Sequence, residues 1–297
     1  MKIHLDPSTP MNLDETLCCG QVFRWEKQED WWYGVAGKRA IRVRQIGRVL
    51  EFENANKDFV ESYFGLNVDL RQIYTSIHKD PHIEEAIARF RGLRILRQDP
   101  WECLVSFMCA TYKNIAAIKT MISELSHRYG DHIVFEKENV HAFPTAEALA
   151  KSSITDLKKC GLGFRAKRVK LTAKVISDDA TRLERLRRTS YAEAKRELLQ
   201  LPGVGSKVAD CILLFSLNKF EAFPVDVWMK RVILKYYQAH FEKEFVERIS
   251  EQKPLSTSQY ERLSRFGREH FGNYAGYAQE YLYHYDRMKT RLPILRT

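Results

Sequence analysis

Leu201-Pro202-Gly203-Val204-Gly205-Ser206-Lys207-Val208-Ala209-Asp210 is the run that decides the fold. It follows a segment that Ser190-x-x-Glu193 opens as a helix through a capping box, so two helices meet at a glycine hairpin. Gly203 and Gly205 permit positive φ and close backbone approach, and amides at the start of the second helix can point at a phosphate oxygen. Such a joint grips a backbone without reading sequence. An ordinary helix-turn-helix joint, with glycine for tight packing, explains the glycines equally well.

Lys207 tilts that balance, because a cation in the first turn of a helix opposes the macrodipole. Near a positive helix end, partial desolvation favours a neutral amine that can act as a nucleophile. The alternative is a surface lysine reaching a phosphate. Downstream comes Phe223-Pro224-Val225-Asp226-Val227-Trp228, in which Pro224 keeps the residue before it extended and Asp226 stands where a helix can begin. An N-cap carboxylate held by helix amides stays ionised, which also suits it to stabilise a developing cation.

Outward from this centre, residues 20–53 predict short antiparallel strands over Gln21–Glu26, Trp31–Val35, Ala40–Gln45 and Arg48–Glu53. Ile41 and Val43 alternate with Arg42 and Arg44, a half-buried strand with a basic outer face that reads as solvated. From Asp58 the period becomes helical almost to the C-terminus, so the fold class is α+β. Ile115, Ile118, Met121, Ile122 and Leu125 predict a helix stopping at Gly130, and Ser258-x-x-Glu261 predicts a further capping box. The Asp-Pro breaks at Asp80-Pro81 and Asp99-Pro100 mark the hand-over, giving a sheet domain over residues 1–85 and a helical domain over 86–297.

A formal charge of +10 favours a phosphate-rich partner, though charge alone decides little. The six cysteines lack zinc spacing, and none follows Cys211, so neither a structural metal nor a four-cysteine iron–sulfur loop is expected. No apolar stretch opens the chain and none is long enough to span a bilayer. The reading is an intracellular monomer without a membrane partner or secretion signal, cytoplasmic and nucleoid-associated if prokaryotic.

Six segments together resemble the 8-oxoguanine DNA glycosylase family of helix-hairpin-helix glycosylases. They are residues 19–25 (CGQVFRW), 97–103 (RQDPWEC), 162–166 (LGFRA), 201–211, 224–227 (PVDV) and 276–279 (GYAQ). The resemblance implies a TATA-binding-protein-like antiparallel sheet followed by an all-α domain bearing the hairpin, with duplex DNA containing 8-oxoguanine as partner and a flipped base between the domains. It implies that Lys207 is the Schiff-base lysine and Asp226 the essential aspartate of a glycosylase and β-eliminating lyase. It also implies that the Gly20 carbonyl meets N7–H of the oxidised base, that Gln279 reads its Watson–Crick edge, and that Tyr283 and Cys211 cover its two faces. Gly203 and Gly205 would bind backbone amide-to-phosphate. No cofactor is implied, but a structural cation at the hairpin is, held by carbonyls of Leu199, Leu201 and Val204.

The chain also departs from the family. Eukaryotic members carry an asparagine triplet where Thr111-Tyr112-Lys113-Asn114 stands, which makes Tyr112 the candidate wedge beside Asn114. An arginine for the orphaned cytosine is replaced by Ala117, although Arg165 matches a second one, and Phe164 replaces a tyrosine. Trp228 replaces a histidine near the flipped nucleotide's phosphate. A relaxed choice of opposing base is the expected result. Oxidised-pyrimidine and adenine-mispair relatives are disfavoured by the cysteine pattern, alkyl-base enzymes by Lys207, and a non-enzymatic hairpin module would not require the Lys207 and Asp226 pair.

Overall fold

The computed structural model describes residues 1–135, 138–251 and 254–291. Five antiparallel strands form the N-terminal sheet in the order β1-β5-β4-β3-β2: β1 (Lys2–His4), β2 (Trp25–Gln28), β3 (Trp31–Ala36), β4 (Arg39–Ile46) and β5 (Val49–Glu53). Ile41 and Val43 turn inward, and Val43 pairs with Phe52. Arg42 and Arg44 lie on the outer face, within 4.7 and 4.5 Å of the Trp31 ring and paired with Glu53 and Glu51. That outer face is self-paired.

The first expected strand is shifted. Gln21 is not extended backbone in a ladder; its buried amide bonds the carbonyls of Thr16 and Arg94 and accepts the Leu96 amide at 2.8 Å. A positive φ of 107° at Gly20 bends the chain there, so pairing starts only at Trp25. Strand β1 was not foreseen, three residues being too few to show alternation.

Around the sheet and beyond it run α1 (Leu13–Cys18), α2 (Lys57–Tyr63), α3 (Leu70–Ile77), α4 (Pro81–Arg89), α5 (Pro100–Cys109) and α6 (Ile115–Tyr129). A two-stranded hairpin, β6 (His132–Phe135) and β7 (Glu138–His141), interrupts the helical run that periodicity predicted. Next come α7 (Ala146–Lys151), α8 (Ile154–Lys159), α9 (Arg165–Asp178), α10 (Arg182–Arg185), α11 (Tyr191–Leu199) and α12 (Ser206–Phe215). The chain then continues through α13 (Val227–Tyr236), α14 (Lys243–Glu251), α15 (Thr257–Phe271) and α16 (Ala275–Arg291).

Local chemistry sets these bounds. Ser190 and Glu193 form the capping box of α11, and Gly130 ends α6. The second box opens two residues earlier than expected, from Ser256 and Gln259 rather than Ser258 and Glu261; both pairs have suitable spacing, and Glu261 is drawn to Lys195 at 2.9 Å. One apolar cluster unites the sheet with α1 and α2, and a larger one gathers α3 onward around α12 and α16. Among the described residues no helix is long and apolar enough to cross a membrane.

Candidate active site

The turn after α1, the segment after α5, the start of α12, the cap of α13 and the face of α16 meet around a cleft of about 930 Å³. Gly20, Tyr112, Asn114, Gly203, Gly205, Lys207, Cys211, Asp226, Trp228, Gln279 and Tyr283 line it. Phe164, Arg165, Leu199, Leu201 and Val204 do not appear on its wall.

Lys207 is half-buried in the first turn of α12, its Nζ 5.3 Å from the centroid of the Phe107 ring. Gly205 is the N-cap of that helix and brings no side chain to cap it, so a ligand anion has helix amides to meet. The two hairpin glycines differ. Gly203 has φ +84°, and a Cβ there would lie 2.7 Å from the Arg168 side chain. Gly205 has φ −100° with nothing within 4 Å of a Cβ, so the expected positive φ applies to Gly203 alone.

Asp226 caps α13, its Oδ1 accepting the Met229 amide at 2.8 Å. Cys211, one turn beyond Lys207, is buried; burial pushes its thiol up to about 12, against the pull of Lys207 and with Asp210 and Asp226 adding to the rise. A thiol so held is a neutral packing surface rather than a second nucleophile.

Across the cleft, Gln279 and Tyr283 share one face of α16. Gln279 is 5% exposed, and its Oε1 has no hydrogen-bond partner among the described residues. An acceptor left unpaired in that way costs about 1–3 kcal/mol, so the amide is suited to a ligand that completes it. Tyr283 backs onto Gly20: its hydroxyl would lie 3.7 Å from a Cβ at that glycine. Tyr112 projects at the rim, 76% exposed and at φ +57°, a conformation costly for an aromatic residue. Asn114 caps α6 through the Ala117 amide at 2.9 Å.

Residues 3–104 match the family model described as 8-oxoguanine DNA glycosylase, N-terminal domain, and residues 105–254 match HhH-GPD superfamily base excision DNA repair protein. An N-glycosylase/DNA lyase of Arabidopsis thaliana is 31% identical over 93% of this chain and 77% of its own. The chain belongs to the 8-oxoguanine DNA glycosylase family. A Saccharomyces cerevisiae N-glycosylase/DNA lyase is 30% identical over 91% of this chain and 82% of its own. The 8-oxoguanine glycosylase/lyase of Clostridium acetobutylicum, solved with duplex DNA containing cytosine opposite 8-oxoguanine, superposes with a TM-score of 0.84 at 34% identity, covering 94% of this chain and 93% of that one.

Several features of this 8-oxoguanine DNA glycosylase family member escaped the sequence. Arg287 donates to the Cys18 carbonyl at 2.6 Å and stands 5.2 Å from the Tyr283 ring, tying the turn that carries Gly20 to α16. The spacing Gln279, Tyr283, Arg287 continues one helical stripe and would have revealed it. Glu280 lines the cleft at 2% exposure. Burial pushes its carboxyl up to about 7, opposed by Cys19 and Arg287 and reinforced by Asp226. Arg165, which the family pattern aims at an orphaned base, is buried and donates to the Thr111 carbonyl and, at 3.4 Å, to that of Leu162, with the Phe164 ring 4.3 Å away. In this conformation it supports the segment that carries Tyr112.

Proposed function

We propose that this chain excises 8-oxoguanine from duplex DNA and then cleaves the strand, with Lys207 as nucleophile and Asp226 as supporting carboxylate. The observation that carries the reading is the convergence of Gly20, Lys207, Cys211, Asp226, Gln279 and Tyr283, from distant parts of the sequence, on one cleft.

The Lys207 amine attacks the anomeric carbon through its nitrogen lone pair as the bond to the base breaks, the bonding pair leaving with the base. Asp226 stabilises the positive charge that the sugar gains. The departing base anion takes up the proton that the amine loses, a second amine proton passes to O4′ as the sugar ring opens to an imine, and loss of a C2′ proton to water expels the 3′ phosphate. No atom needs an external oxidant, so the sequence of steps calls for no redox cofactor.

Gly20 supplies the carbonyl for N7–H of the extruded base; ordinary guanine would set a lone pair against it, so the contact both attracts and rejects. Gln279 reads the Watson–Crick edge, with Tyr283 and Cys211 on the two faces. Amides near Gly203 and Gly205, together with Trp228, take phosphates, while Tyr112 and Asn114 fill the vacated stack. Exposed Phe164 flanks the opposite strand, and buried Arg165 acts there only indirectly, by holding the Thr111 carbonyl beside Tyr112. The carbonyls of Leu199, which ends α11, and of Leu201 and Val204 in the turn that follows would hold a hard cation, which would add positive charge for a phosphate. Leu201 keeps one lone pair for the cation, the other accepting the Val204 amide at 3.1 Å. The cleft is complete within one chain, which suits a monomer; in a prokaryotic host it would act on cytoplasmic, nucleoid-associated DNA.

Borohydride trapping on an 8-oxoguanine duplex tests this. Wild type should give a covalent adduct and Lys207→Gln none; an adduct from Lys207→Gln, or none from wild type, defeats the mechanism.

A further inference from the structure

Behind the reactive pair lies a buried polar cluster that the proposed chemistry does not use. Asp210, on α12 three residues after Lys207, is fully buried. Four donors converge on its carboxylate: Tyr260 Oη at 2.6 Å, Tyr191 Oη at 2.7 Å, Lys195 Nζ at 3.1 Å and Ser264 Oγ at 3.4 Å. Burying an ion pair seldom adds net stability over an apolar core of the same shape, so stability alone is a poor reason for this arrangement.

The cluster reaches both reactive residues through their neighbours. The Tyr260 hydroxyl accepts the amide of Val225, the residue before Asp226, at 3.4 Å while donating to Asp210. Lys195 also binds Glu261 at 2.9 Å, and against the effect of burial the pull of Lys195 and of nearby Ser206, the residue before Lys207, holds the Glu261 carboxyl below its usual range. Tyr260 is 6% exposed and its side of α15 forms part of the cleft wall. One phenol oxygen therefore bridges the helix that carries the amine and the loop that carries the carboxylate.

We propose that Tyr260 is a positioning residue, its hydroxyl setting the separation of Lys207 and Asp226 by joining Asp210 to the Val225 amide. This rests on the roles given above to Lys207 and Asp226. Without the hydroxyl, α12 and the start of α13 lose their shared hydrogen-bonded link, and a displacement of about 1 Å at reacting groups costs on the order of 100-fold in rate. Asp210 keeps three of its donors in Tyr260→Phe, so the buried charge is not orphaned.

The test is single-turnover excision by Tyr260→Phe on a duplex containing 8-oxoguanine, alongside its affinity for a duplex carrying a tetrahydrofuran abasic analogue. The expected result is a rate constant lowered about 10- to 100-fold, with full reaction amplitude and with analogue affinity within about twofold of wild type, since a shift confined to reacting groups leaves phosphate contacts alone. A folding defect would instead reduce the amplitude and leave the rate constant of the surviving fraction. A wild-type rate constant, or a loss confined to amplitude or affinity, overturns the proposal. Trapping by Lys207→Gln separates the two readings: an adduct there removes the nucleophile assignment itself, whereas no adduct there with a wild-type rate in Tyr260→Phe removes only the positioning role.

Discussion

The Oδ1 of Asp226 accepts the Met229 amide at 2.8 Å, so one carboxylate both starts a helix and lines the cleft. The two duties separate by substitution. Asp226→Asn retains a good N-cap and should unfold within about 0.5 kcal/mol of wild type, whereas Asp226→Ala should lose about 1 kcal/mol. Both should lose excision by roughly 100-fold or more if the negative charge supports the sugar cation. Urea denaturation and single-turnover kinetics measure the two effects; an active Asp226→Asn would leave Asp226 only its structural duty.

Gly203 and Gly205 should respond differently. Gly203→Ala places a Cβ 2.7 Å from Arg168 at φ +84° and should destabilise the chain by about 1–3 kcal/mol. Gly205→Ala meets no neighbour and has negative φ, so the gain of about 0.4–1 kcal/mol from a stiffer unfolded chain is offset by the poorer N-cap, and stability should hold within about 1 kcal/mol while DNA affinity falls. Equal affinity of Gly205→Ala and wild type for duplex DNA would remove this glycine from the phosphate contact.

Glu280 ties stability to pH. Its carboxyl holds a proton more tightly folded than unfolded, since burial moves it from 4.5 up to about 7. The sign follows by linkage: its contribution to stability is fully present below 4.5 and is lost as pH rises through about 7. Glu280→Gln should therefore gain about 1–3 kcal/mol at pH 8 relative to wild type and little at pH 4.5. Denaturant midpoints at those two values decide it, and an equal change at both would assign the effect to packing.

Tyr112 carries strain that a binding role would justify. Tyr112→Gly should unfold at least as reluctantly as wild type, relieved of about 1 kcal/mol at φ +57°. Its excision from duplex should fall about tenfold, for want of stacking worth about 1–3 kcal/mol. Unchanged excision would show that the exposed ring is not the wedge.

Ala117 brings no charged donor, Lys119 on the same turn of α6 donates to the Trp25 carbonyl at 3.1 Å, and Arg165 is committed to the Thr111 carbonyl. Excision opposite cytosine, adenine, guanine and thymine should then differ by less than about tenfold, and Ala117→Arg should restore about 1–3 kcal/mol of preference for cytosine. Rates on four duplexes test this; strict cytosine selection by wild type would contradict it.

Much of the site was legible because its signals are local. The glycine hairpin before Lys207, Pro224 ahead of Asp226 and the four-residue step from Gln279 to Tyr283 each follow from short-range backbone geometry. Helix starts were legible for the same reason at Ser190 and Asp226. Where two boxes overlapped, at Ser256 and Ser258, spacing alone did not choose, and a distant lysine, Lys195, did.

The amino-acid sequence by itself determined the alternation that buries Ile41 and Val43, the hairpin, and the residue types able to do the chemistry. Only the tertiary structure decided that Gly20 and Tyr283 stand against each other through Arg287, that Arg165 turns to the Thr111 carbonyl, and that Tyr260 bridges Asp210 and Val225. Those contacts join residues far apart in the chain. Their distances depend on how whole helices pack, a long-range sum that no local pattern encodes.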